Sequence, residues 1–107
     1  MGVIVLVLSR ADVEAVLDLD QLLDAVAAAM ADLSHGRASV PPRVAASVPD
    51  RHAMLAAMPA FLPSTGSLCA KLVSLFPENT GRPTHQAIIC CFDAATGTPA
   101  AVRAAVT

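Results

Sequence analysis

The stretch Ser67-Leu68-Cys69-Ala70-Lys71-Leu72-Val73-Ser74-Leu75-Phe76 decides how this chain folds. It is mostly apolar and is flanked by turn-forming residues, so a strand is predicted from Leu68 to Phe76. Successive side chains of a strand point to opposite faces, and one face therefore carries Cys69, Lys71, Val73 and Leu75. The only lysine of the chain is thus predicted to lie on an otherwise apolar face.

Two cations on this part of the chain invite a functional interpretation. An unpaired buried ammonium group is costly, so Lys71 must extend to solvent, pair with an acid, or face a cavity that receives an anion. Arg43 follows Pro41 and Pro42, and a guanidinium on such a rigid segment is suited to hold a carboxylate through two parallel hydrogen bonds. The alternative for Arg43 is a surface arginine beside a turn.

The sequence around this strand predicts a sheet. Further strands are expected at Val44 to Val48, Ala53 to Met58 and His85 to Asp93. They are separated by segments rich in turn formers, which are Pro49 to His52, Pro63 to Gly66, Pro77 to Pro83 and Ala94 to Gly97.

The N-terminal third predicts a strand and two helices. Gly2 to Leu8 has the composition of a buried strand, and Ser9 with Asp12 forms a capping box before a short helix from about Ala11 to Leu17. Asp18 or Asp20 then caps a longer helix that ends at Gly36. Its apolar stripe consists of Leu19, Leu22, Leu23, Val26, Met30 and Leu33, and Asp24 and Asp32 are predicted on the other side. The expected fold class is α+β: an N-terminal strand, two helices and a mainly antiparallel or mixed sheet in one domain, residues 1–107.

Composition narrows the classes of function. With 107 residues, 55% of them hydrophobic and 15% charged, the chain is predicted to fold but to leave apolar surface exposed. We therefore expect a partner, most simply a second copy in a homodimer. A net charge of −2 without any basic cluster argues against nucleic-acid binding. The apolar start is too short to cross a membrane and lacks the basic residues of a signal peptide, so a cytoplasmic location is expected.

The cysteines and histidines do not predict a metal site. Cys90 and Cys91 are adjacent and point to opposite faces of a strand, and Cys69 lies far from both in sequence. No pair has zinc-ligand spacing, and the three histidines are scattered. The expected state of the cysteines is reduced, small and buried.

Several motifs taken together resemble the ornithine cyclodeaminase/mu-crystallin family. Each is weak alone, but their order along nearly the whole chain is specific. They are Pro41-Pro42-Arg43, Met58-Pro59-Ala60-Phe61-Leu62-Pro63, Lys71 to Asn79, Pro83-Thr84-His85-Gln86 and Phe92 to Pro99, with matching segments at Leu8 to Val13 and Leu33 to Arg37.

The resemblance implies an N-terminal part that carries substrate-binding and dimerisation functions, followed in the family by a Rossmann domain for NAD or NADP. Arg43 and Lys71 match the residues that hold the substrate carboxylate. Met58 would line the pocket for a small amino-acid-like ligand, and Thr84 would lie near the nicotinamide. The implied chemistry is removal of a hydride from the amine-bearing carbon, with cyclisation of ornithine to proline, or related reduction of cyclic imines and oxidation of alanine.

The chain also departs from the family pattern. The Gly-rich phosphate loop and the catalytic aspartate of the missing domain have no counterpart here, so no catalytic residue is assigned and this chain alone is expected to be inactive. Arg103 is either the family's further ligand-binding arginine after a deletion or a charge on a terminal strand, and the second is favoured. The alternative function is a non-catalytic module for dimerisation or small-ligand binding.

Overall fold

Residues 4–104 are described by a computed structural model, and they form two helices and one sheet. The strands are β1 (Leu6–Leu8), β2 (Val44–Val48), β3 (Ala53–Leu62), β4 (Ser67–Leu75), β5 (His85–Phe92) and β6 (Pro99–Ala104). The helices are α1 (Arg10–Val16) and α2 (Leu19–Ser34), and both lie between β1 and β2 in the chain. The predicted start of β1 at Gly2 and Val3 lies outside the described residues.

Both helices begin at the caps that the sequence predicts. Ser9 accepts a hydrogen bond from the backbone N–H of Asp12, whose carboxylate accepts one from the N–H of Ser9. Asp18 caps α2 by accepting from the N–H groups of the two residues at 20 and 21. The helix ends before Gly36, which has a φ of 71° that residues with a Cβ atom adopt only with strain.

The sheet has the order β1-β6-β5-β4-β3-β2. Every neighbouring pair is antiparallel except β1 with β6, which is parallel. The predicted α+β class with a mixed sheet is therefore confirmed. The parallel pair joins the two ends of the chain, since Leu6 lies opposite Ala101 and Leu8 opposite Arg103.

Strand β3 is longer than predicted because Pro59 lies inside it without interrupting a ladder. Phe61 exchanges both backbone hydrogen bonds with Ser39, so the odd-numbered residues of β3 direct their backbone groups towards β2. Strand β2 starts at Val44, which lies opposite Ala57, and so it does not reach Pro59. The missing N–H of proline therefore removes no bond between named strands.

The two faces of the sheet differ in their cover. Helix α2 lies over the face that carries Lys71, where Leu22 and Val26 border the space between helix and sheet. The opposite face exposes large apolar side chains, among them Leu55 at 50% and Ile88 at 42%. Within the described part of the chain, the buried apolar residues are two small ones, Ala53 and Ala56, so the core of this unit is thin.

Three predictions about the N-terminal third are wrong. Strand β1 is not buried, because it forms an edge of the sheet and Val7 is 79% exposed. The apolar stripe of α2 does not pack as one surface, since Leu23 and Met30 are more than half exposed. Asp32 is not on a solvent face but completely buried, because it is held by hydrogen bonds from Arg37 and Ser64.

No helix among residues 4–104 combines the length and the apolar character needed to cross a bilayer.

Candidate functional site

A cavity of about 220 Å³ lies on the face of β3 and β4 that carries Lys71. Antiparallel pairing builds its floor, because directly opposed residues share a face: Met58 lies opposite Lys71, and Leu75 opposite His85. Arg43 reaches the cavity from the segment that leads into β2. The complete lining is Arg43, Met54, Ala56, Met58, Lys71, Val73, Leu75 and His85.

Lys71 lines this cavity and is also exposed. Of the three arrangements open to it, pairing with an acid does not occur, since no carboxylate within residues 4–104 lies in ion-pair distance of its ammonium. Its neighbours on β4, Val73 and Leu75, are apolar and half-buried. The ammonium group of Lys71 therefore lies at the solvent-exposed edge of a cavity whose neighbouring residues are apolar.

Arg43 brings a second positive charge to the same cavity. It is exposed, and no described acid pairs with it. The lining contains neither Asp nor Glu, so neither cation meets a counter-charge within the cavity. A small anion placed there would supply that counter-charge and gain charge-assisted hydrogen bonds. The structure thus brings together three predicted site residues, Arg43, Met58 and Lys71.

The fourth predicted residue, Thr84, lies beside the cavity rather than in its lining. Its carbonyl accepts a hydrogen bond of 2.8 Å from the N–H of Phe76, which extends the β4–β5 ladder by one pair. Its hydroxyl lies 3.3 Å from Nδ1 of His85, a residue of the lining. Thr84 is therefore positioned at the rim, one residue from the cavity.

His85, which carries an imidazole ring, is the polar lining residue that the sequence did not predict. It is the first residue of β5, and only the register that sets it opposite Leu75 brings it to the face of Lys71. The motif Pro83-Thr84-His85-Gln86 is the sequence feature that points to His85, since it indicates where β5 begins. Alternation along β4 alone does not show which residue of β5 lies opposite Leu75, because the register between β4 and β5 depends on the loop that joins them.

The loop before His85 is tied to a distant turn. His52 Nδ1 and Glu78 Oε1 are 2.6 Å apart, which links the turn before β3 to the loop after β4. Within the loop, the side-chain amide of Asn79 donates to the carbonyl of Pro83 over 3.1 Å. These contacts hold in place the loop that leads into Thr84 and His85.

Arg103 lies on the same sheet face but in a different cavity. It is opposite Ile89, which is in turn opposite Lys71, so two strand spacings of roughly 5 Å each separate the backbones of the two cations. Arg103 borders the space of about 360 Å³ beneath α2, with Leu22 and Cys69. Both interpretations of Arg103, a further ligand-binding arginine and a charge on a terminal strand, stay predictions.

The model of the ornithine cyclodeaminase/mu-crystallin family matches residues 4–107 of this chain. The chain belongs to this family. The resemblance carried by the motifs around Arg43, Lys71 and Thr84 is therefore confirmed at the level of the family.

Several solved structures share the fold of this chain. The Δ1-pyrroline-2-carboxylate reductase of Thermococcus litoralis, in complex with NADH and L-proline, is 36% identical with a TM-score of 0.83 over 92% of this chain. An archaeal alanine dehydrogenase dimer with bound NAD is 32% identical, with a TM-score of 0.81 over 94%. The iminosuccinate reductase of Paracoccus denitrificans with NAD+ is 22% identical with a TM-score of 0.81 over 94%, which shows a shared fold.

This member of the family spans about a third of those relatives: it covers 31%, 31% and 32% of their respective chains. No curated protein matches its sequence.

The described residues do not fit the phosphate groups of a dinucleotide cofactor. Pyrophosphates bind at helix N-termini whose N–H groups are free. Here the N-terminus of α1 is occupied by the capping box of Ser9 and Asp12, and that of α2 by the carboxylate of Asp18. Both ends carry an acid that would repel a phosphate, so within residues 4–104 neither helix offers this site.

Proposed function

We propose that this chain supplies the carboxylate-binding part of the substrate site in an NAD(P)-dependent enzyme that acts on an amino acid or a cyclic imine. The observation that carries the proposal is the placement of Arg43 and Lys71 in one cavity without any acid in its lining. Domain 1–107 is accordingly proposed to be a substrate-binding and dimerisation domain, whose cofactor phosphates are held by residues outside 4–104.

Charge and shape both support a small carboxylate as the ligand. The planar fork of Arg43 suits a bidentate contact with two carboxylate oxygens, and Lys71 adds a compact charge from the neighbouring strand. The cavity, at about 220 Å³, is smaller than sites for drug-sized molecules, which start at roughly 300 Å³. Its apolar part is formed by Met54, Met58 and Val73, which would contact the side chain or ring of the ligand.

The named relatives support the class of substrate. Proline, bound to the Thermococcus litoralis enzyme, and alanine, the substrate that names the archaeal enzyme, each carry a carboxylate next to the carbon that bears nitrogen. Arg43 and Lys71 would hold that carboxylate and so orient the neighbouring carbon. In such enzymes the nicotinamide exchanges the hydride, and the rim at Thr84 is the proposed place where it would lie closest to this chain.

A second function, a non-catalytic dimerisation or ligand-binding module, is favoured by the uncovered sheet face. Val44 is 68% exposed, and Leu55 and Ile88 are also uncovered. A second copy of the chain placed on this face would remove that apolar surface from water. We propose a homodimer for this chain, whichever of the two functions holds.

Calorimetric titration with L-proline and L-alanine tests the carboxylate site. Loss of one charge-assisted hydrogen bond corresponds to roughly 1.5–3 kcal/mol, so Lys71→Ala should weaken binding at least roughly 10-fold, and Arg43→Ala, which removes a bidentate contact, should weaken it more. Prolinamide, which lacks the negative charge, should bind weakly to the parent protein. Arg51→Ala is the matched control, because this arginine lies in the turn before β3 and outside the cavity lining.

Either of two results would refute the carboxylate site. The first is equal binding of L-proline and prolinamide to the parent protein. The second is parent-like affinity for L-proline in both Arg43→Ala and Lys71→Ala.

A further inference from the structure

Cys69 and Cys91 lie directly opposite each other on the neighbouring strands β4 and β5. Their Sγ atoms are 3.3 Å apart, and both side chains are half-buried. This contact joins two thiols that are 22 residues apart in sequence. The sequence indicated only that Cys90 and Cys91 point to opposite faces, and the register adds that Cys91, not Cys90, meets Cys69.

The ladder places this pair where side chains approach most closely. In an antiparallel ladder, opposed residue pairs alternate between hydrogen-bonded and non-hydrogen-bonded ones. The N–H of Phe76 donates to the carbonyl of Thr84, so that pair is hydrogen-bonded and the next pair, Leu75 with His85, is not. Cys69 is an even number of residues from Leu75 and belongs to the second class. Non-hydrogen-bonded pairs have Cα atoms roughly 4.5 Å apart, which lies within the range of roughly 4.4–6.8 Å that disulfides span.

We propose that Cys69 and Cys91 are a site of reversible oxidative modification, which low-molecular-weight disulfides convert into a cross-strand disulfide. Cys90 is excluded as a partner because its side chain lies on the opposite sheet face, opposite Ala70 and Val102. The site is independent of the proposed carboxylate function, since neither sulfur lines the cavity of Arg43 and Lys71.

The reaction balances as two successive exchanges. A thiolate of the pair attacks one sulfur of the external disulfide, whose S–S bond breaks; the released thiolate takes up a proton, and a mixed disulfide remains on the protein. The second cysteine, as its thiolate, attacks the protein sulfur of that mixed disulfide and releases a second small thiol. The two cysteines lose two electrons and two protons, and the external disulfide gains them.

Access and acidity set the rate of this reaction. Cys69 borders the cavity of about 360 Å³ between α2 and the sheet, through which a small reagent reaches the sulfur. Burial raises the pKa of the Cys69 thiol, and its hydrogen bond with Cys91 raises it further, while Arg103 acts in the opposite direction. Thiolate is therefore scarce at neutral pH, and the exchange should accelerate as the pH rises.

The test compares three variants that each retain two cysteines, with 2-hydroxyethyl disulfide as the reagent. Cys90→Ser keeps the facing pair, Cys91→Ser keeps Cys69 with Cys90, and Cys69→Ser keeps the adjacent pair. After acid quenching, Cys90→Ser should lose about 2 Da without retaining an adduct, because a closed disulfide lacks two hydrogens. Trypsin should then yield residues 52–71 linked to residues 72–103, and reduction should separate them.

The two other variants should retain one reagent adduct on a cysteine instead of closing an internal bridge. Circular dichroism before the reaction verifies that all three variants are folded. Equal closure in Cys91→Ser and Cys90→Ser would overturn the proposal, because closure would then not depend on the facing pair. Stable adducts without linkage, or links only between chains, in Cys90→Ser would overturn it as well.

Discussion

Met58 and Lys71 are direct partners across strands β3 and β4, and both line the cavity that Arg43 enters. The methionine side chain is half-buried, whereas the lysine is exposed. A charge introduced at position 58 would therefore fall beside the ammonium of Lys71. This pair allows the charge of the cavity to be altered while both proposed carboxylate-binding residues stay intact.

Met58→Glu should compete with the ligand for Lys71. The new carboxylate would lie opposite the ammonium, and opposite charges on directly paired strand positions attract each other. Affinity for L-proline, measured by calorimetry, should fall roughly tenfold or more, which corresponds to about 1.4 kcal/mol. Met58→Gln is the matched control of nearly equal size. Equal affinity in the two variants would show that position 58 does not border the bound carboxylate.

The uncovered sheet face predicts the oligomeric state. Leu55 and Ile88 lie on this face and are 50% and 42% exposed. The parent chain should sediment as a dimer at micromolar concentration, and Leu55→Glu combined with Ile88→Glu should sediment as a monomer, because burying unpaired carboxylates is costly. Leu23→Glu, on the exposed side of α2, should remain dimeric. A parent chain that is folded yet monomeric at every concentration would contradict this prediction.

The buried carboxylate of Asp32 predicts loss of stability in acid. Ser64 donates from its hydroxyl and, over 2.9 Å, from its backbone N–H, and Arg37 donates from Nε over 3.2 Å. The hydroxyl bond is the main cause that lowers the pKa of Asp32 below 3.8, the backbone bond and Arg37 act in the same direction, and burial opposes them. Because the pKa of Asp32 is lower in the folded than in the unfolded state, its carboxylate stabilises the fold at pH values above the unfolded-state pKa. This contribution disappears as the pH falls through the folded-state pKa.

Thermal unfolding from pH 7 to pH 2 measures this contribution. The Tm of the parent should decrease below pH 4, while Asp32→Asn should start from a lower Tm and show a smaller decrease. Asp24→Asn, at an exposed acid of the same helix, should follow the parent curve. If Asp32→Asn kept the full acid dependence of the parent, other carboxylates would have to account for it.

The backbone conformation of Gly36, just after α2, predicts that replacing this glycine lowers the stability of the fold. Its φ is 71°, and an added Cβ would meet no atom within 4 Å, so strain in the backbone is the only expected penalty. Gly36→Ala should reduce the free energy of unfolding by about 1–2 kcal/mol, measured by urea denaturation. Gly36→Asn should cost less, because asparagine tolerates this conformation better. An unchanged stability in Gly36→Ala would mean that the helix end relaxes to another conformation.

Local signals in the sequence were sufficient to predict most elements. The cap at Ser9 and the strand Val44–Val48 were predicted, and the cap of α2 was predicted to be Asp18 or Asp20, because each depends on residues close in the chain. The burial of Asp32 was not predictable, since its partner Ser64 is 32 residues away. Strand β3 continued past its predicted end because the cost of Pro59 depends on where β2 begins.

The α+β class, the family and the face of β4 that carries Lys71 depend on alternation and on ordered motifs, so they could be predicted from the chain alone. The family resemblance also implied that Arg43, Met58 and Lys71 share a substrate pocket. The fold was needed to show that His85 lines the same cavity and that Cys69 meets Cys91. Both depend on strand register, because shifting a strand by one residue turns every side chain to the other face, and loops and long-range pairing set that shift.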